Sequence, residues 1–348
     1  MDTKQHIQYL DVLKGIIIFF VVVGHAFHFG FSYYQSPLLA VLRSMDMPVF
    51  IFLSGYLAAM GSLRFDGKGY KAFWFKKARQ LFLPLITLPT FYALFYSIPA
   101  QEMLFGIHHG GYWFTWVLFL MFVLWFVFRV ANHYLNPRQD RLVEISFASL
   151  TLFFVIAVDT PWQINSPISY MAMSWGKMNY LYHHFLIGYF VGRYSAFREQ
   201  LLHPLTTALA TLAFAWFVYL ECTHRAVLGG IPASMCGVAM AFGLAYRLGH
   251  SLNRINSCLA YLGQESRTIY FTHYFFLFTV PFVHDFLVGL RRLGGRVLGW
   301  EIICAFSYAA LVVALTLFAV RLIKANPYLA WLCYGKALPR SLDTPLSQ

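Results

Sequence analysis

The chain has 348 residues, of which 59% are hydrophobic and only 11% charged, with 36 Phe, 22 Tyr and 9 Trp. A soluble domain carries about 25% charged residues, so this composition excludes a water-solvated globule and makes lipid the solvent. The net charge of +12 would fit a nucleic-acid partner only if gathered on one folded face; Lys and Arg instead punctuate apolar segments, and no nucleic acid is expected.

A spanning helix takes about 20 apolar residues. In chain order, apolar segments at 10–33, 38–62, 81–98, 112–131, 143–158, 179–195, 203–221, 231–249, 266–289 and 298–323 predict ten such helices. The expected fold is an all-α, polytopic membrane protein around a central cavity: one integral-membrane domain over 1–348, with a cytoplasmic tail from about 324. The first segment is too long for the core of a signal peptide and no small-residue cleavage site follows it, so it is expected to be retained. Five scattered cysteines (Cys222, Cys236, Cys258, Cys304, Cys333) form neither a disulfide framework nor a zinc pattern.

Short cytoplasmic loops are enriched in Lys and Arg. Arg64, Lys68, Lys71, Lys76, Lys77 and Arg79 lie between segments two and three; Arg129, Arg138 and Arg141 follow the fourth, Arg193 and Arg198 the sixth, and Arg247, Arg254 and Arg267 the eighth. Arg321, Lys324, Lys336 and Arg340 mark the tail. Every second connection is basic, which reads both termini as cytoplasmic. The intervening loops carry little beyond Lys177 and Arg225, except for Arg291, Arg292 and Arg296, which this scheme puts outside.

Ionisable residues inside a membrane are costly and mark function by default. The first helix has the densest set: Asp11, Lys14, His25 and His28. At about 100° per residue, the eleven steps from Lys14 to His25 return to within about 20° of one direction, and about 16 Å of rise separates them. Asp11 and His28 fall within about 60° of that line, giving one polar stripe. A neutral imidazole can take a proton from a hydroxyl near neutral pH; the alternative is a histidine that hydrogen-bonds a neighbouring helix. In Met47-Pro48 through Ser54-Gly55-Tyr56, the small pair lets a helix or an extended ligand approach closely, and packing is the commoner use. Leu262-Gly263 through His273 reads as a helix start that puts Tyr270 and His273 on one face. His108-His109 and His183-His184 lack carboxylates at ligand spacing, so no metal is expected. Tyr112, Trp113, Trp162 and Trp175 fall on the outer side, where aromatic belts are usual and where a sugar could also stack.

Together these blocks resemble the membrane-bound acyltransferase family 3, mostly bacterial O-acetyltransferases of cell-envelope sugars. The resemblance rests on Tyr9-Leu10-Asp11-Val12-Leu13-Lys14-Gly15 ending in Gly24-His25, on Met47-Pro48 through Tyr56, and on Phe75-Lys76-Lys77-Ala78-Arg79 before Pro84. Trp113-Phe114, Phe185-Leu186-Ile187-Gly188-Tyr189 with Gly192, and the Leu262 to His273 block follow in order. It implies that His25 is the catalytic histidine and that Lys14, where many members have Arg, helps engage the acyl donor with Asp11 as its counter-charge. Lys76, Lys77 and Arg79 would act as a group on the donor, Gln80 standing where a second Arg is often found. Ser54, Tyr56, Trp113, Tyr270 and His273 would line or orient the cavity.

The implied partners are acetyl-CoA, an envelope saccharide or lipid-linked sugar, and membrane lipids, in the bacterial inner membrane. Succinyl or longer acyl groups are alternatives within the class. The rival from another class is a transporter or flippase of a glycan or lipid-linked sugar; such proteins commonly show related halves or broken helices at the midplane, and neither is detected here.

Overall fold

The computed structural model describes residues 3–106, 109–223, 230–249, 253–293 and 297–338, and among them every regular element is helical. His108, Arg225, Arg296 and Arg340 lie outside the described residues. The principal helices, in chain order, are α1 (Thr3–His25), α2 (Asp46–Met60), α3 (Gly67–Lys77), α4 (Leu83–Tyr96), α5 (Trp113–Leu135), α6 (Arg141–Asn165) and α7 (Trp175–Arg193). They continue with α8 (Pro204–Cys222), α9 (Ile231–Leu248), α10 (Arg254–Gln264), α11 (Ser266–Thr272), α12 (Pro281–Arg292) and α13 (Leu298–Ala325). Among the described residues, eight helical spans are long and apolar enough to cross a membrane, and nine if the bent pair Ser266–Phe276 and Pro281–Arg292 counts as one. The molecule is an all-helical, multi-pass membrane protein.

Several boundaries differ from the sequence expectation. The basic stretch before segment three is not a loop: Asp66 caps α3 by accepting the Gly69 amide at 2.6 Å, and the helix runs on through a π-helical turn, Ala78–Phe82, into α4. Its lysines lower the hydropathy although Phe73 packs on Trp125 and Trp74 on Phe119 and Phe126, so hydropathy alone missed it. Segment nine is no straight span. The chain bends by 91° between Phe276 and Pro281, and α12 lies across the far end of α1, with the Val280 amide on the Gly30 carbonyl (2.7 Å) and His284 Nδ1 on the Phe31 carbonyl (2.9 Å). The charge of Arg291, anomalous for topology, has a local use: its guanidinium donates to the Tyr33 hydroxyl (3.1 Å), which donates to buried Glu301 (3.0 Å). Residues beyond 324 do not all trail into solvent, since Pro327–Tyr334 is helical and Tyr334 is buried, its hydroxyl 2.8 Å from Thr272 Oγ1.

Lipid supplies no hydrophobic force between helices, so close backbone contact must hold them. Two crossings do this. Where α1 meets α10, a methyl on Gly15 would stand 1.9 Å from the Leu259 carbonyl oxygen, and one on Gly263 would stand 1.8 Å from that of Asp11. Where α2 meets α7, Gly55 faces the Phe185 carbonyl at 1.9 Å and Gly188 that of Phe52 at 2.0 Å by the same measure. Gly55 thus serves packing. A second π-helical turn, Ala26–Gly30, follows His25 directly, closed by the Phe31 amide on the Ala26 carbonyl at 2.9 Å. Such turns inside α-helices are rare and frequent at functional sites.

Candidate functional site

Between α1, α2, α3, α5 and α11 lies a cavity of about 570 Å³. Its rim carries Lys14, Lys76, Lys77 and Arg267; its walls are apolar and aromatic, with Phe50, Leu53, Phe114, Leu118, Phe122 and Trp125. Lys14 is ion-paired with Asp11 three residues earlier, and Gln264 Nε2 donates to the same carboxylate at 3.3 Å. The ion pairs among the described residues are Lys14–Asp11, Arg64–Asp66, Arg129–Glu144, Arg193–Glu144 and Lys324–Glu265, which leaves Lys76, Lys77 and Arg267 without a carboxylate partner among them. The Lys77 ammonium instead sits 3.2 Å from the Phe122 ring centroid. Lys76 and Arg267 repel Lys77, and Arg79 repels Arg267, with the Glu265 charge offsetting part of the last. Uncompensated cations over an apolar slot suit an anionic headgroup with a long uncharged arm.

The cavity's inner end is Tyr270 and Phe271. Behind Tyr270 stands His273, ring centroids 6.2 Å apart, and beside His273 stands His25 at 5.1 Å. His25 is half-buried at the last residue of α1, its Nε2 3.4 Å from the Tyr274 hydroxyl and its Nδ1 buried without a hydrogen-bond partner. His273 is wholly buried; Nδ1 donates to the Ile269 carbonyl at 3.0 Å, so Nε2 is bare and likewise unpartnered. Tyr270 and Tyr274 both donate to the Gly111 carbonyl, at 3.2 and 3.1 Å. Only glycine suits position 111, because φ is +92° and a Cβ there would come within 2.5 Å of the Tyr274 ring.

The sequence-derived residues divide by location. Lys14, Ser54, Lys76, Lys77 and Tyr270 line the cavity, while His25 and His273 adjoin its inner end. Ser54 Oγ donates to the Phe50 carbonyl at 2.8 Å. Arg79, Tyr56 and Trp113 are not in the lining: Arg79 turns its guanidinium towards Phe75, Tyr56 is buried against Phe242, and Trp113 holds the Lys177 ammonium 4.0 Å from its ring. His28 leaves the predicted stripe because the π turn changes the angular step; its Nε2 accepts from Arg43 at 3.2 Å. Sequence reasoning missed Arg267 and Tyr274. Arg267 was counted only for topology, although it begins an apolar helix, and Tyr274 follows directly on His273.

Beneath the rim, Glu265 pairs with Lys324 and accepts from the Thr268 hydroxyl at 2.7 Å. Burial pushes its carboxyl up, but these bonds and the neighbouring Lys324 and Lys336 charges outweigh that and hold it below the ordinary value of 4.5. A carboxyl depressed on folding stabilises above its unfolded value and loses that contribution as pH falls through its folded one. Thermal melts of the solubilised protein should therefore fall as pH drops below about 4.5, with a shallower fall in Lys324→Met; superimposable slopes would remove this pair from the balance.

A family model described as "Acyltransferase domain" (Acyl_transf_3) matches residues 7–322. Over 157 residues the chain is 27% identical to "Nodulation protein NolL" of Mesorhizobium japonicum, covering 41% of each chain. Over 136 residues it is 29% identical to "Nodulation protein NolL" of Sinorhizobium fredii, covering 35% of this chain and 36% of that one. The chain thus spans about two fifths of the length of the curated relatives it matches. No solved structure gives a significant match.

Proposed function

The chain belongs to the Acyl_transf_3 family of acyltransferase domains, and from that premise we propose that it is a membrane O-acetyltransferase, moving an acetyl group from cytoplasmic acetyl-CoA to a hydroxyl of a cell-envelope saccharide. The observation that carries this reading is the cation-rimmed apolar cavity ending one aromatic ring short of two histidines. Lys14, Lys76, Lys77 and Arg267 meet the phosphates of the donor, and its thin arm lies along Phe50, Phe114 and Phe122. His273 orients the thioester end. His25 takes the acceptor hydroxyl's proton, the oxygen bonds to the acyl carbon, the carbon–sulfur bond breaks, and the thiolate receives the proton from the imidazolium. Atoms and charge balance, and no covalent enzyme intermediate is required.

The test is purified protein in nanodiscs with acetyl-labelled acetyl-CoA and an envelope-saccharide extract. Label in the saccharide and free CoA in equal amounts are the expected outcome; no transfer across a panel of acyl-CoA donors and acceptors would overturn the reading. Within it, Arg267→Ala should raise KM for acetyl-CoA about 10- to 100-fold, the worth of one charge-assisted contact, with kcat nearly unchanged because the contact is made equally in ground and transition states. A drop in kcat at constant KM would remove Arg267 from donor binding.

A further inference from the structure

Tyr274 has one hydroxyl proton and two neighbours that could take it, the Gly111 carbonyl at 3.1 Å and His25 Nε2 at 3.4 Å. The carbonyl is the nearer, and it is fixed there by a turn that only glycine can make. With the proton on that carbonyl, the Tyr274 oxygen is left as an acceptor, and His25 Nε2 must supply the hydrogen. The reverse arrangement would turn the Tyr274 proton to Nε2 and put the histidine's own proton on Nδ1, a buried nitrogen with no acceptor in reach. An orphaned buried N–H is among the costliest polar defects. The tautomer of His25 is therefore set by a string of three groups: imidazole to phenol to backbone carbonyl.

We infer that Tyr274 is a positioning residue that holds His25 as its Nε2–H tautomer, leaving Nδ1 as the atom that takes the proton from the acceptor hydroxyl. What Nδ1 does rests on the transferase reading above and on the acceptor's entry uncovering an atom that is buried in the unliganded protein; the tautomer rests on neither. When Nδ1 is protonated, the Nε2–H bond to the Tyr274 oxygen strengthens, and the Tyr274 proton polarises further towards Gly111. No carboxylate is needed behind the histidine. The chain of phenol and carbonyl does the orienting work that an acid performs in other histidine bases, and it does so with neutral groups suited to a membrane interior.

Two measurements test this on the full-length protein in nanodiscs. Nitrogen-15 NMR of histidine-labelled protein, with His25 assigned by difference from His25→Gln, should show a protonated Nε2 and a bare Nδ1; a protonated Nδ1 in the wild type would overturn the inference whatever the activity. Kinetically, Tyr274→Phe keeps the ring and its packing and removes the acceptor. It should lower kcat about 10- to 100-fold, part of what a general base contributes, with KM for acetyl-CoA within about twofold and a mixed His25 tautomer. Unchanged kcat with an unchanged tautomer would sink the role of Tyr274. A wild type with the expected tautomer and no acyl transfer to any acceptor would instead count against the transferase reading and leave the relay standing.

Discussion

His25→Ala should lower acyl transfer by about 10²- to 10⁴-fold, the usual contribution of a positioned general base, while the protein should fold and bind acetyl-CoA as before. The substitution is structurally mild. His25 closes α1, forms no ion pair among the described residues, and its polar contact is the 3.4 Å one to Tyr274; alanine also suits the helix end. The cavity is lined by other side chains, so donor affinity should be untouched and the loss should fall on kcat. Labelled acetyl transfer, measured beside acetyl-CoA binding on the same preparation, checks both halves. Full transfer by the variant would exclude His25 from the chemistry, and lost binding would make it part of the donor site.

The second large effect is on folding. Gly263→Ala or Gly188→Ala would drive a methyl to 1.8 or 2.0 Å from a backbone carbonyl oxygen of the facing helix, where no side chain can swing away. The helices must part by more than an ångström, forfeiting van der Waals contact along the crossing. A cost at or above the roughly 1–3 kcal/mol of ordinary overpacking is expected, enough to remove most monodisperse protein from a size-exclusion profile. Gly24→Ala is the control, because nothing lies within 4 Å of its added carbon and alanine is the better helix former by about 0.5–1 kcal/mol. Equal yields from Gly263→Ala and Gly24→Ala would refute the account of how the bundle is held.

Hydropathy and the spacing of Lys and Arg made most of the spans legible, because lipid constrains composition more tightly than water does. The face shared by Lys14 and His25 was legible too, since a continuous α-helix obeys fixed angular arithmetic. Partners from distant sequence were not. Tyr274 meets His25 across 249 positions, and in a chain with 22 tyrosines its place after His273 does not by itself single it out. Arg267 was hidden by its neighbourhood, where a positive charge near a membrane boundary already had a topological explanation. Tyr56 shows the opposite error: it lies in a motif beside Ser54, yet two residues of helix turn it towards Tyr9 and Phe242, away from the cavity.

The turn after His25 also has a bearing on how the chain tolerates length change. A π-helical turn is an α-helix with one residue too many, so deleting a single residue within Ala26–Gly30 should let ordinary winding run through. The flanks would keep their relative placement, because the bulge has absorbed the residue that a continuous α-helix would have turned into about 100° of rotation and about 1.5 Å of rise. The same deletion within the regular winding of α1 would instead rotate one side against the other, and since α1 is pinned by Gly15 against α10 and its far end by Gly30 against Val280, both could not keep their seats. The surplus residue acts as a spacer that reconciles two anchor points, and the imidazole stands at the junction between them.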